Sequence, residues 1–512
     1  MPPTDNHKNS KRIAKNTLVL YIRMIFVLGV ALYTSRVLLD VLGVEDYGVY
    51  NVVGGIVTML GFFNGAMVSS TQRFFSFAIG QNDIHQLNLN YSTILVIQGC
   101  LALFILLSAE TIGLWFVKNY LVIPPERMQA ALWVFHFAVL TFVVSMLQVP
   151  FTAMIITHEQ MNMFAYISIA DVLLKLIVVI ILPWITYDRL IIYAALLFVV
   201  ALFSFLAYVL CTRIKFKYVR YIREKNKALF KTLISYMGWN LWGNAAGVIM
   251  NQGVNILINL FFGPAVNAAR AIAYQVQSAV NQMVSNFQLA MNPQIVKSYA
   301  SGDLDYMHKL VIRGAKLSFY LVIIIALPII LEAQNLLGLW LKEVPQHAIL
   351  FTQLIMVYVV LESISGTLMI SIQATGKIAL YQSVVGGLLI LNLPISYVLL
   401  KHGAKPESTV IVSIIISTIA FIVRVFIVAP KIGVSKLQLL YEVFFKLIVI
   451  GTLAYFIVYY VHNFGYSMWT SVFITFITSF FAVSTLMFFI GFDAQERGFL
   501  INYLAIKVGK RR

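Results

Sequence analysis

Apolar runs of about 18 residues or more recur from Asn16 to Gly491, each long enough to cross the ~30 Å hydrocarbon core of a bilayer as a helix. They are too long for strands, and they lack the alternating pattern of a membrane barrel. Only 11% of the residues are charged and 60% are hydrophobic. A soluble domain carries roughly 25% charged residues, so this chain cannot cover itself with a water-facing surface. The fold class is therefore all-α and polytopic. The polar stretch ahead of the first run, about 15 residues with no small-residue cleavage site behind that run, argues against a cleavable signal peptide. Cys100 and Cys211 both fall in apolar runs, make no disulfide or metal spacing, and read as small core residues.

About fourteen spans can be placed, the second at 48–70, the eighth (least apolar) at 271–291 and the ninth (shortest) at 316–332. Lys and Arg accumulate in cytoplasmic loops, which tests the count. With the N-terminus inside and strict alternation, 25 of the 37 Lys and Arg fall in inside segments, counting Lys316 at the edge of the ninth span, and 7 in outside loops. Both termini are then cytoplasmic. The net charge of +17 follows from topology and inner-leaflet lipid, and calls for no nucleic acid.

The densest basic loop, Arg213 to Lys231, holds eight Lys and Arg against one acid, Glu224. With Phe216, Tyr218 and Tyr221 interleaved, it reads as an amphipathic segment on the membrane surface. It divides an N-terminal lobe of six spans (1–212) from a C-terminal lobe of six (232–430), with 213–231 as linker. Two further spans and a basic cytoplasmic tail fill 431–512. Sliding the chain on itself by 220 residues brings Gly43 onto Gly263, Gln72 onto Asn292 and Asp83 onto Asp303. Parallel repeats of this kind are a transporter architecture.

The sequence offers no P-loop, no dinucleotide turn, no His-Glu-x-x-His pattern and no loop long enough for a catalytic domain, so no enzyme and no cofactor or metal site is expected. Charges within spans are the informative residues, because each costs ~2.5–3.5 kcal/mol at the bilayer centre. Arg23 and Arg36 lie on span 1, and Arg270 lies at the outer start of span 8. Their guanidinium forks either snorkel (or, for Arg36, pair with Asp40) or line a cavity and hold phosphate bidentately. Asp171 and Lys175, four residues apart on span 5, either neutralise each other or form an ion-coupling site. His136 reads as a satisfied core histidine, and Glu110, Glu362 and Arg424 have no evident partner. Tyr274, Gln275, Ser278, Asn281, Gln282, Ser285 and Gln288 make a polar stripe on span 8. Such a face cannot meet lipid without stranding amides, so it hydrogen-bonds other helices or walls a hydrated cavity.

The run from Arg36 to Asp83, with its GVEDYGVYN and STQRF segments, resembles bacterial polysaccharide-export proteins of the O-antigen flippase type. These belong to the multidrug/oligosaccharidyl-lipid/polysaccharide exporter superfamily. The resemblance implies a multi-pass protein of the bacterial cell inner membrane that moves a polyprenyl-pyrophosphate-linked oligosaccharide to the outer leaflet by alternating access. It also implies polysaccharide assembly proteins and membrane lipids as partners. Arg23, Arg36 and Arg270 match the family's cavity cations by location. The rival readings are a multidrug exporter of the same superfamily and a membrane-embedded polymerase or ligase. A drug exporter wants acids in its cavity, and a polymerase typically has a large periplasmic loop.

Overall fold

The computed structural model describes residues 4–121, 123–224, 226–341, 343–464, 467–493 and 496–498; the basic tail expected beyond them lies outside the described residues. Among these, every regular element is a helix. The first half comprises α1 (Thr4–Met59), α2 (Gly61–Gly80), α3 (Ile84–Ser108), α4 (Leu114–Tyr120), α5 (Met128–Thr157), α6 (Met161–Ile181) and α7 (Arg189–Lys215). The second comprises α8 (Lys227–Phe262), α9 (Pro264–Ala300), α10 (Leu304–Leu331), α11 (Ala333–Trp340) and α12 (Ala348–Ser363). It continues through α13 (Gly366–Thr375), α14 (Ala379–Ile390), α15 (Asn392–Lys401) and α16 (Ser408–Ile432). A short α17 (Lys436–Leu439) leads into the hairpin of α18 (Lys446–His462) and α19 (Met468–Leu486).

The two halves repeat nearly residue for residue. Helix starts pair as Ile84 with Leu304, Leu114 with Ala333, Met128 with Ala348, Met161 with Ala379, and Arg189 with Ser408. The breaks match as well. Gly43 kinks α1 at φ 77° and Gly263 separates α8 from α9 at φ 78°, a left-handed conformation that glycine adopts without the Cβ penalty. Asn82 and Gly302, both at positive φ, precede Asp83 and Asp303, which stand directly before α3 and α10. Asp83 caps α3 by accepting the Gln86 amide at 2.8 Å.

Twelve helical segments among the described residues are long and apolar enough to cross a membrane. The other two candidate spans, 48–70 and 271–291, fall on repeat-equivalent stretches: Val44 to Gly80 across α1 and α2, and α9. Both are long enough, but their amides, hydroxyls and glycines lower their hydropathy.

The chain packs as two compact units, residues 1–245 with 289–303, and 246–288 with 304–512. The first has a core of Val49, Val53 and Val57 against Val134, Phe135, Leu190 and Ala194. In the second, Val254, Ile258, Val280 and Val284 pack on Phe351, Ile355 and Val359.

Ionic contacts sort the loops into two sets. In the first unit the Arg127 guanidinium donates to Asp46 (2.7 and 2.6 Å) and to Asp188 (2.7 Å), tying three loops that strict alternation puts on one side. Asp46 is the acid of the GVEDYG segment, so a motif residue closes this clamp. In the second unit Glu332 accepts from Asn335 (2.6 Å), Thr475 (2.9 Å) and Ser471 and pairs with His462 (2.9 Å), fastening the α18–α19 hairpin to the end of α10.

The basic segment after α7 is extended along a neighbouring helix. Residues 216–224 form no helix and are pinned to α3: Asn88 donates to the Tyr218 carbonyl (3.1 Å), while the Arg220 and Ile222 amides donate to Asn88 (2.8 Å) and Ser92 (2.7 Å). Side chains of α3 satisfy the backbone groups that an amphipathic helix would have satisfied internally. The cysteines are free, and Cys100 is exposed on a groove with Phe63, Met67 and Leu101 instead of lying in the core.

Burial pushes the Asp188 carboxyl up, but the Arg127 fork and the Ile191 and Leu190 amides outweigh it and hold it below the usual range. Arg127→Met, which leaves two carboxylates facing each other, is expected to cost about 2 kcal/mol, with partial recovery in Arg127→Lys. Thermal unfolding in detergent checks this. Because the folded carboxyl is the stronger acid, the deficit of the Met variant should be full above about pH 4 and shrink below it.

Candidate substrate path

Two of the three expected arginines stand far apart on one helix. Arg23 and Arg36 stand on one unbroken stretch of α1, and thirteen residues at about 1.5 Å each separate them by about 20 Å. One pyrophosphate therefore cannot bridge them.

Arg23 is half-buried with its guanidinium 4.7 Å from the Phe164 ring, and its Nε finds no hydrogen-bond partner. Arg36 is exposed, and no ion pair joins it to Asp40 among the described residues. Arg270 is only 5% exposed. It stacks on Tyr274 at 4.0 Å and donates to the Asn255 side chain (3.2 Å) and the Asn251 carbonyl (3.4 Å). Among the described residues, Arg23 thus leans on a ring, Arg270 on a ring and neutral acceptors, and neither makes an ion pair with a carboxylate.

Among the described residues, the three acids noted within spans are each engaged. Asp171 pairs with Lys175 at 2.7 Å and accepts the Ser204 hydroxyl at 2.7 Å, so both of its oxygens are taken. Glu362 lies 3.1 Å from Arg424 and accepts Ser417 at 2.6 Å, with Tyr381 beside the arginine. Glu110 pairs with His136 at 2.7 Å, on the wide-turn segment Ala109–Gly113. His136 is accordingly a half-exposed partner of an acid and not a core residue. The sequence offered no partner for Glu362 because its arginine lies 62 positions on, beyond helical spacing.

On α9, Gln275, Ser278, Asn281 and Ser285 are exposed and Gln282 is half-buried. Hydrogen bonding between helices does not account for the exposed four. The stripe is anchored at one end, where Gln288 donates to Ser318 at 3.4 Å. The STQRF segment is occupied by packing: Ser70 accepts Asn240 (2.9 Å), Thr71 accepts Gln98 (3.2 Å), and the Arg73 guanidinium lies between the Phe74, Phe77 and Tyr236 rings.

Missed by sequence reasoning was the turn between α5 and α6. His158 stacks on Phe216 at 4.2 Å, its Nδ1 lies 2.8 Å from the Met154 carbonyl, and its Nε2 lies 2.6 Å from the Tyr218 hydroxyl. A carbonyl only accepts, so Nδ1 carries the proton and neutral Nε2 receives the Tyr218 hydroxyl. Burial pushes the imidazole down to about 4; Lys297 adds to this, and the Met154 carbonyl and Glu159 oppose it.

By sequence, the chain matches no protein-family model and no curated protein. Solved structures do share its fold. A multidrug resistance MATE family transporter of the MOP superfamily in an outward-facing conformation superposes with a TM-score of 0.72 at 13% identity, over 82% of this chain and 96% of that one. A MATE protein in its bent conformation gives 0.74 at 13% identity, over 83% and 96%. A MOP superfamily transporter from Pyrococcus furiosus, described as having a binding pocket of reverse polarity that suggests a different function, gives 0.71 at 13% identity, over 82% and 96%. The fold is MATE-like, and the proteins that share it are transporters, not enzymes.

A pH dependence follows from His158. Its folded pKa lies below the ordinary value near 6.5, so its contribution is present above pH 6.5 and is lost as the pH falls toward 4. The loss should reach about 3 kcal/mol. Detergent-solubilised protein is expected to unfold at progressively lower temperature over that interval, and His158→Gln is expected to flatten the decline.

Proposed function

We propose that this chain is a transporter of the bacterial cell inner membrane. It flips a polyprenyl-pyrophosphate-linked oligosaccharide to the outer leaflet by alternating access, with both termini cytoplasmic. On this reading the lobes are residues 1–212 and 232–430, and 431–512 is an addition. The observation that carries the substrate class is the asymmetry of charge. Among the described residues the deep acids Glu110, Asp171 and Glu362 each have a basic partner, whereas Arg23 rests on a ring and Arg270 on a ring and amide oxygens, neither with an acid partner. In each unit an arginine without an acid partner suits an anionic headgroup, and in the second unit the exposed amides and hydroxyls of α9 (Gln275, Ser278, Asn281, Ser285) suit sugar hydroxyls. Since Arg23 and Arg36 are too far apart for one phosphate, they serve successive positions of the headgroup.

The fold likeness to a multidrug resistance MATE transporter favours a second reading, multidrug export. An organic cation would need a free carboxylate in the membrane, and the likeness to the transporter of reverse pocket polarity speaks for the anionic alternative.

Reconstituted protein separates the two. Arg23→Lys and Arg270→Lys are expected to slow flipping of a fluorescent lipid-linked oligosaccharide at least tenfold at normal abundance, because lysine keeps the charge but loses the planar fork. Asp171→Asn is expected to leave the rate within twofold. Export of a cationic dye that depends on Asp171 or Glu362, with no flipping by the parent protein, would establish the drug reading instead.

A further inference from the structure

The turn after α5 is built on Glu159, whose φ of 59° is left-handed, a conformation uncommon for a residue with a long side chain. Its carboxylate side chain is only 1% exposed. Arg12 Nε on α1 donates to Oε2 at 2.6 Å, Gln294 Nε2 on α9 donates to Oε2 at 2.7 Å, and Lys297 Nζ on α9 donates to Oε1 at 2.6 Å. Asn16 donates to the Glu159 carbonyl at 3.3 Å. One buried carboxylate therefore ties three elements far apart in sequence. The close fit continues at Gly80 of α2, where an added Cβ would lie 2.7 Å from the Lys297 carbonyl.

The tied segment is distinctive. Residues 264–288 of α9 pack with the second compact unit and 289–300 with the first, so the helix passes from one to the other. A buried ion cluster suits a contact that must open. Its Coulomb attraction is largely offset by desolvation, so hydration returns most of what opening removes. An apolar seam of the same size would keep its full hydrophobic cost of separation.

We propose that Glu159 is a releasable latch. It holds the end of α9 against α1 and the α5–α6 turn, and its opening is a step of the transport cycle. The proposal rests on the transporter reading but not on the substrate.

The test uses full-length protein with Cys100→Ser and Cys211→Ser, in which Ser298→Cys reports on the buried end of α9. Maleimide labelling in detergent is expected to be at least fivefold faster when Glu159→Gln is added, with the unfolding temperature within a few degrees of the parent's. Lys297→Gln serves as the second variant should Glu159→Gln fail to fold. Unchanged labelling in the folded variant would overturn the latch, as would acceleration accompanied by a collapse in unfolding temperature, which marks a purely structural cluster. Faster labelling in a protein that flips no lipid-linked oligosaccharide would leave the latch standing and remove the proposed substrate.

Discussion

A charge in hydrocarbon must find a partner or have a task, and that constraint organises this protein. Glu110, Asp171 and Glu362 each meet a basic side chain, and the ends of the helices are clamped by Asp46–Arg127–Asp188 and by Glu332 with its four partners. Once these groups are accounted for, Arg23 and Arg270 stand apart because both rest on aromatic faces, Arg270 with amide oxygens besides. An arginine can be carried that way, since its guanidinium is weakly hydrated and stacks on rings.

The repeat shows how such a chain is assembled. Gly43 and Gly263, 220 positions apart, take the same left-handed φ and redirect equivalent helices. After each of them the chain runs through an equally long helical stretch, rich in glycine, amide and hydroxyl, that ends before an aspartate and the next helix. In α9 the polarity of that stretch faces outward at Gln275, Ser278, Asn281 and Ser285, while its far end is locked by Glu159. An open polar face and a breakable anchor thus lie on one helix.

Features set by local spacing were legible in the sequence. The Asp171–Lys175 pair is one helical turn, the α9 stripe recurs at steps of three and four, and the Gly43/Gly263 correspondence survives a simple shift of register. What could not be read depends on contacts between distant segments. Glu159 lies 138 positions from Lys297, and nothing in the local sequence distinguishes a glutamate that ends a helix from one that gathers two cations. Glu362 and Arg424 failed to announce each other for the same reason. The basic linker's composition did not show what holds its backbone: Asn88 and Ser92 on α3 take up its polar groups. The arginines were found by residue type, yet only the length of α1 shows that Arg23 and Arg36 cannot share a phosphate.

The charge arrangement also bears on energy. On the proposed reading, a pyrophosphate headgroup moving outward travels down a potential that is negative inside, gaining ~2.3 kcal/mol per charge per 100 mV. With about two charges carried, that is ~4–5 kcal/mol, enough to bias the leaflets roughly a thousandfold. A counter-moving cation is then not an energetic requirement. Asp171 offers one little purchase, because Lys175 and Ser204 already occupy both carboxylate oxygens. A drug exporter moving a cation outward would work against the same potential and would need a carboxylate kept free to couple it. Among the described residues the deep acids are held in pairs while half-buried Arg23 and buried Arg270 have no acid partner, an arrangement that on the proposed reading suits an outward-moving anion.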